Sequence, residues 1–370
     1  MFLEVHVLQN FALSNLNRDD TGAPKTCDFG GTRRARISSQ CLKRAVRTYF
    51  REESAVRSDE LSYRTKLVKD ALASRIANMG ADAPDALAAA AVAHLGLGLK
   101  KEKTEYLLFV GAAELDALAA LAVENASALS GEKKVDKAVQ TAMLRALDGG
   151  GAVDLALFGR MIADRPEKNV DAAVQMAHAF STHAVSTEFD FYSAVDDLQR
   201  EDDEAGMGAG MLGTTLYNSS CYYRYSNLDA RQLKANLGAH ASRGADAVRA
   251  FLAGVVHAVP SGKQSGSAAQ NPPGCVLVVV RERGLWSLAN AFVRAVRPRG
   301  NDDVVHLSAG ALLAHFQQLA GLYGTAGISY AGLATYLDPL EVAAPLRRVP
   351  SVVDLVDGAV AALGPVEGWA

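Results

Sequence analysis

The chain has 370 residues, 49% of them hydrophobic and 21% charged, with a formal net charge of −3. That is the composition of a soluble globular protein with enough apolar material for one to three domains. It argues against a membrane-spanning chain: the Ala-rich uncharged run 86–99 is too short to cross a bilayer and contains His94. The opening MFLEVHVLQNF has no basic region and carries Glu4 and His6, so it is not a signal peptide. The four cysteines form no CxxC pair and none has a histidine at zinc-ligand spacing, which points to a reducing compartment.

In chain order, residues 2–8 alternate as a strand with Leu3, Val5 and Val7 on one face. A turn-rich polar loop, SNLNRDDTGAPKTCDFGGT, comes next. The window 29–51, FGGTRRARISSQCLKRAVRTYFR, then gathers Arg33, Arg34, Arg36, Lys43, Arg44, Arg47 and Arg51 without an Asp or Glu. Inside it Leu42, Ala45, Val46, Tyr49 and Phe50 recur at helical spacing, with Ser38 and Ser39 as N-cap candidates. Gln40, Lys43, Arg44, Arg47 and Arg51 are left on the outward side.

Residues 54–150 are Ala-rich and read as short inserted helices broken at 80–84, 96–102 and 130–132. AAVQMAHAFSTHAV fits a strand or a helix. The segment from Phe189 to Asp229 has aromatics at both ends and a Gly-Met-rich centre, the pattern of a long hairpin with a mobile tip. Beyond it, ADAVRAFLAGVVHAV reads as a helix, PSGKQSGSAAQNPPG as a loop, CVLVVV as a buried strand and LANAFVRAV as a helix. The order is βαββαβ with excursions, which predicts an α+β chain built on a ferredoxin-like or RRM-like domain.

The basic helix has two readings. A charge run is usually a solvated face. An ordinary surface helix, however, mixes signs and gains from i,i+4 pairs, which this one lacks. A polyanion lying across it, with phosphate at the helix N-terminus, is the alternative. Nucleotide motifs fail: Gly262-Lys263 is followed by Gln264, and Gly206, Gly208 and Gly210 lack a strand–turn–helix context. No GxSxG or HExxH is present, and His178 and His183 read as packed or hydrogen-bonded residues. Asp19, Asp20 and Asp28 share a loop; they would order it, pair with arginines, or hold a divalent ion for RNA cleavage. Phe191 and Tyr192 are either core residues or a stacking pair at the base of a protruding hairpin.

The stretch LQNFALSNLNRDDTGAPKTCDFGGTRRARISSQCLKRAVR resembles the N-terminal signature of the CasC family, the backbone subunits of the type I-E CRISPR complex Cascade. The LNRDD loop, Lys25, the FGG turn and RRxRISSQxLKRAxR are all in place. AHAFSTH, FDFYSAVDDLQ, CYYRYSNL and VPSGKQ extend the similarity through the chain, while the inserted helices match poorly.

The resemblance implies an RRM-like palm (1–53, 156–184 and 216–370), a helical fingers insertion (54–155) and a β-hairpin thumb (185–215). It implies a non-catalytic CRISPR RNA-binding subunit in antiviral defence that polymerises along the guide and presents its bases to target DNA. The partners are then CRISPR RNA, target DNA, further copies of the chain and other Cascade subunits, with no cofactor and a cytoplasmic location. Lys25, Ser38, Gln40, Lys43 and Arg47 fall on family positions that contact the RNA backbone, with Arg36 and Arg44 beside them. Met161 falls where a methionine props a displaced base. Phe191 and Tyr192 match the thumb's aromatic pair, where the family often has Trp-Phe. Arg297 and Arg299 sit where relatives face DNA. The acidic EDDEAGMGAGMLG tip departs from the family pattern. The rival reading is a metal-dependent endoribonuclease using Asp19, Asp20 or Asp28.

Overall fold

The computed structural model describes residues 1–129, 137–194 and 211–369. Strand β1, Phe2–Ser14, lies at the centre of a ten-stranded sheet. It pairs antiparallel with the long strand Met211–Asp229 on one side and with Cys275–Arg281 on the other. The short strands Val174–Met176 and Ala179–Ser181 add to the far edge of the long strand. Numbered along the chain, these strands run 4-1-3-2 across the sheet. Helix α1, Ser39–Glu52, joins the first to the second, and the helices Ala230–Leu237 and Gly244–His257 join the third to the fourth. That is the expected ferredoxin-like arrangement. It also resolves AAVQMAHAFSTHAV as strand rather than helix.

The sheet is covered on both faces, so β1 is buried almost throughout. Leu3, Val5 and Val7 pack with Val46, Phe50 and Phe251 on one face. Leu8 packs with Phe292, Leu312 and Phe316 on the other. Each such side chain contributes about 1.5–3 kcal/mol by leaving water. The polar residues in β1 have partners: Glu4 pairs with Arg281 at 2.8 Å, and the His6 ring lies 2.9 Å from the Tyr223 hydroxyl.

Between α1 and the second strand, the helices Val68–Asn78, Pro84–His94, Ala112–Glu124 and Lys137–Ala146 enclose a separate core around Leu72, Ile76, Leu115, Leu118 and Met143. Small paired strands occur here too, Ser62–Thr65 with Leu108–Gly111 and Leu99–Lys100 with Lys103–Thr104. These were not foreseen, because each is too short for an alternating pattern to register. The break expected at 130–132 lies outside the described residues.

Two further expectations are corrected. LANAFVRAV is not a full helix: only Leu288–Phe292 turns, as a 3-10 segment. The carbonyl of Phe292 is taken by the Arg34 guanidinium at 2.8 Å, and the Val296 N–H bonds to Thr182 at 2.9 Å, so the backbone is held open. PSGKQSGSAAQNPPG contains one helical turn, Gln264–Ser267. No helix among the described residues is long and apolar enough to cross a membrane.

Candidate nucleic-acid interface

Helix α1 buries Leu42, Val46 and Phe50 at i, i+4 and i+8, which fixes its opposite face outward. Ser38 is its N-cap, with the hydroxyl accepting from the Cys41 N–H at 3.3 Å. The Ser38 N–H in turn donates to Asn17 Oδ1 at 2.8 Å, locking the LNRDD loop to the helix start. Asn15 ties the same loop to the base of the hairpin by donating to Leu216 O at 2.8 Å. Asp19 accepts from the Thr21 N–H and hydroxyl at 2.9 and 2.7 Å and from the Ala23 N–H at 3.0 Å. The Thr21 bond leads in lowering its pKa. This carboxylate therefore orders its own loop.

The Gly-Gly turn does not abut the helix. It closes a hairpin of β2, Thr26–Phe29, and β3, Thr32–Ile37, and β3 separates it from α1. Gly30 has φ +57° and lies where a Cβ would collide with the Val293 carbonyl, so only glycine fits.

The basic run divides into separate roles. Arg33 pairs with Asp28 at 3.0 Å. Arg34 is buried and donates to the carbonyls of Ser181, Thr182 and Phe292. Arg36 is half-buried, donating to Thr26 O at 3.1 Å with His178 Nδ1 at 3.2 Å. Arg47 was expected on the outward side, but its side chain is only 14% exposed and pairs with buried Asp154 at 2.6 Å. The inserted region folds back over that flank of α1 and covers it. Lys43 is half-buried, and burial lowers its pKa; Arg44 is exposed. Neither has an ion-pair partner among the described residues.

Lys25, Ser38, Gln40, Lys43 and Arg44 are thus brought together around the start of α1. Lys25 is held there by its N–H to Asn17 O at 2.9 Å and its carbonyl to the Arg36 N–H at 2.8 Å. Beside them a cavity of about 690 Å³ is lined in part by Arg18, Arg44, Thr48, Ser261 and Gly262. A Cβ on Gly262 would strike the Leu16 carbonyl, which explains glycine where this loop crosses the LNRDD loop. Arg18, Thr48 and Ser261 were not singled out from the sequence, because only the fold brings the loop 259–262 beside α1.

The remaining candidates stand on other elements. Met161 is 75% exposed between Arg160 and Ile162, both buried, so its neighbours hold it outward. Phe191 and Tyr192 lie on the strand Glu188–Ala194, which pairs antiparallel with the start of the long strand, Phe191 opposite Thr214 and Tyr192 opposite Gly213. Phe191 is 67% exposed, so the core reading fails for it; Phe189 on the same face is exposed as well. The Tyr192 ring covers Gly213. The expected tip, 195–210, lies outside the described residues. Arg297 and Arg299 are exposed, and the Arg299 N–H donates to Asp302 Oδ2 at 3.0 Å. Among the described residues no group of three or more His, Cys, Asp or Glu could hold a metal ion.

The model of the CT1975-like protein family matches residues 3–348. No curated protein matches the chain. Among solved structures, a chain titled "CRISPR RNA-guided surveillance complex, pre-nicking" is similar with TM-score 0.85 and 34% identity, over 98% of this chain and 100% of that one. A second, "CRISPR RNA-guided surveillance complex", reaches TM-score 0.73 and 27% identity over the same shares.

Proposed function

The chain belongs to the CT1975-like protein family, and from that premise we propose that it is a CRISPR RNA-binding backbone subunit. On this reading it is non-catalytic, polymerises along a guide RNA in a type I-E surveillance complex, and leaves guide bases free to pair with target DNA. The observation that carries the reading is the outward face of α1, where Lys43 and Arg44 have no ion-pair partner among the described residues. Similarity over the full length of a CRISPR RNA-guided surveillance complex chain supports it.

The chemistry follows from the geometry. The first N–H groups of α1 have no carbonyl partners within the helix, and the positive end of its dipole lies there. A phosphate at that end meets the N–H groups that the Ser38 hydroxyl leaves free, together with Lys43 and Arg44. Lys43 has already lost part of its hydration, so a phosphate restores a favourable interaction that water no longer supplies. Contacts of this kind position a backbone and carry no sequence information. Guides of unrelated sequence but equal length should therefore bind with the same affinity, measured by filter binding or fluorescence anisotropy. A strong preference for one spacer would refute the groove.

Met161 supplies a soft apolar surface for a base turned out of the stack, and the hairpin aromatics supply a second. Base stacking on an aromatic contributes roughly 1–3 kcal/mol by truncation. That loss recurs in every copy along a guide. Phe191→Ala with Tyr192→Ala should leave binding of short RNA nearly unchanged and shorten assemblies on a full-length guide, seen by electron microscopy. Full-length assemblies would assign these residues no role in polymerisation.

The endoribonuclease reading is less well supported, because Asp19 serves its own loop and Asp28 pairs with Arg33. Incubation with complementary RNA and Mg²⁺ or Mn²⁺ should give no cleavage. Cutting that is lost on Asp20→Ala or Asp28→Ala would establish the enzyme instead.

A further inference from the structure

At the junction of α1 and the inserted region, three guanidinium groups converge. Arg47 and Arg51 are one turn apart on α1, and Arg64 lies on the strand Ser62–Thr65. The Arg47 guanidinium stands 3.9 Å from the centre of the Phe109 ring, and Arg64 stands 5.5 Å from the same ring. Arg64 and Phe109 face each other across the strand pair. Arg51 donates to the Ser62 carbonyl and lies 5.9 Å from the Tyr63 ring.

The cluster includes one carboxylate, Asp154, and its oxygens are already engaged. Asp154 accepts from Arg47 at 2.6 Å and from the Ser62 N–H and hydroxyl at 2.8 Å each. Arg51 and Arg64 are exposed and have no ion-pair partner among the described residues. Burial, with the charges of Arg51 and Arg64 adding to it and Asp154 opposing, lowers the Arg47 pKa. Three cations therefore share one anion, with Arg47 pinned against it.

We propose that Arg51 and Arg64, backed by the fixed Arg47, form a clamp for a phosphodiester of the nucleic-acid strand that runs along α1. The proposal rests on the functional reading above and adds a second contact, on the inserted region, to the one at the helix start. Guanidinium forks match phosphate oxygens two at a time. Tyr63, 43% exposed beside Arg51, offers a ring face to the adjoining base or sugar. The phosphodiester belongs either to the guide or to a target strand paired with it, and the test separates these.

The test compares the parent protein with Arg51→Ala/Arg64→Ala, measuring affinity for guide RNA, and for guide paired with target DNA, between low and moderate salt. For single strands each neutralised phosphate contributes about −0.7 to the slope of log K against log salt. The double variant should lower the steepness by roughly 0.7 per bound subunit, with an unchanged melting temperature. Arg51→Lys/Arg64→Lys should keep the slope and lose part of the affinity, because charge remains without the fork. If alanine lowers the melting temperature, Arg51→Gln/Arg64→Gln repeats the measurement. A change with guide alone assigns the phosphate to the guide, and a change only after pairing assigns it to the target. An unchanged slope in both overturns the clamp and leaves the functional reading standing. A parent protein with no salt-dependent binding defeats the functional reading itself.

Discussion

Glu114→Ala should destabilise the protein by about 3–5 kcal/mol, the range for stranding one charge of a buried pair. Glu114 and Arg160 are both fully buried, and Arg160 Nη1 donates to both carboxylate oxygens at 2.8 Å. The same carboxylate accepts from the N–H groups of Gly111 and Gly149 at 2.7 Å each. Removing it leaves the guanidinium without its counter-charge, held only by the carbonyls of Phe109, Leu147 and Lys168, and two backbone donors unpaired. The loss extends beyond stability, because Arg160 precedes Met161 and fixes its direction. Gly159, with φ +74°, brings the chain so near Val170 that a Cβ would lie 2.7 Å from its carbonyl oxygen. Urea denaturation measures the first effect, and hydrogen exchange around 159–162 the second. A loss under 1 kcal/mol would mean that the site collapses around the gap.

The second large effect is on binding. Lys43→Ala with Arg44→Ala should weaken RNA affinity on the order of a hundredfold, taking about 1.5 kcal/mol for each charge-assisted bond. The salt slope should flatten by roughly 0.7, for the one phosphate the two side chains share. Stability should barely change, since neither residue has an ion-pair partner among the described residues. Arg47→Ala is the contrasting case: it should destabilise markedly, because it leaves Asp154 buried without its cation. If Lys43→Ala/Arg44→Ala binds RNA with the parent's slope, the outward face of α1 is not the groove.

Much of this was legible in the sequence, for physical reasons. The palm follows from strong period-two and helical patterns, and the Leu42, Val46, Phe50 stripe and the Ser38 cap are where those patterns put them. The family was legible in the motif between Leu8 and Arg47, which the family match over 3–348 bears out. What failed was the reading of charge. Arg34 and Arg47 look like Lys43 and Arg44 in a sequence, yet one is spent on backbone carbonyls and another on Asp154. Those partners lie more than a hundred residues away, and no local pattern announces them. Glu114 and Arg160 were equally silent, since a Glu in an Ala-rich helix reads as a solvated residue.

The most direct test of the central claim is the nucleic acid that travels with the protein. Purified from cells that supply a CRISPR array, the chain should carry a discrete RNA of guide length, seen as a raised 260/280 absorbance ratio and a single band on a denaturing gel. The RNA should be coated by several copies of the chain. Protein that purifies free of nucleic acid, and stays unassembled when a full-length guide is added, would contradict the account.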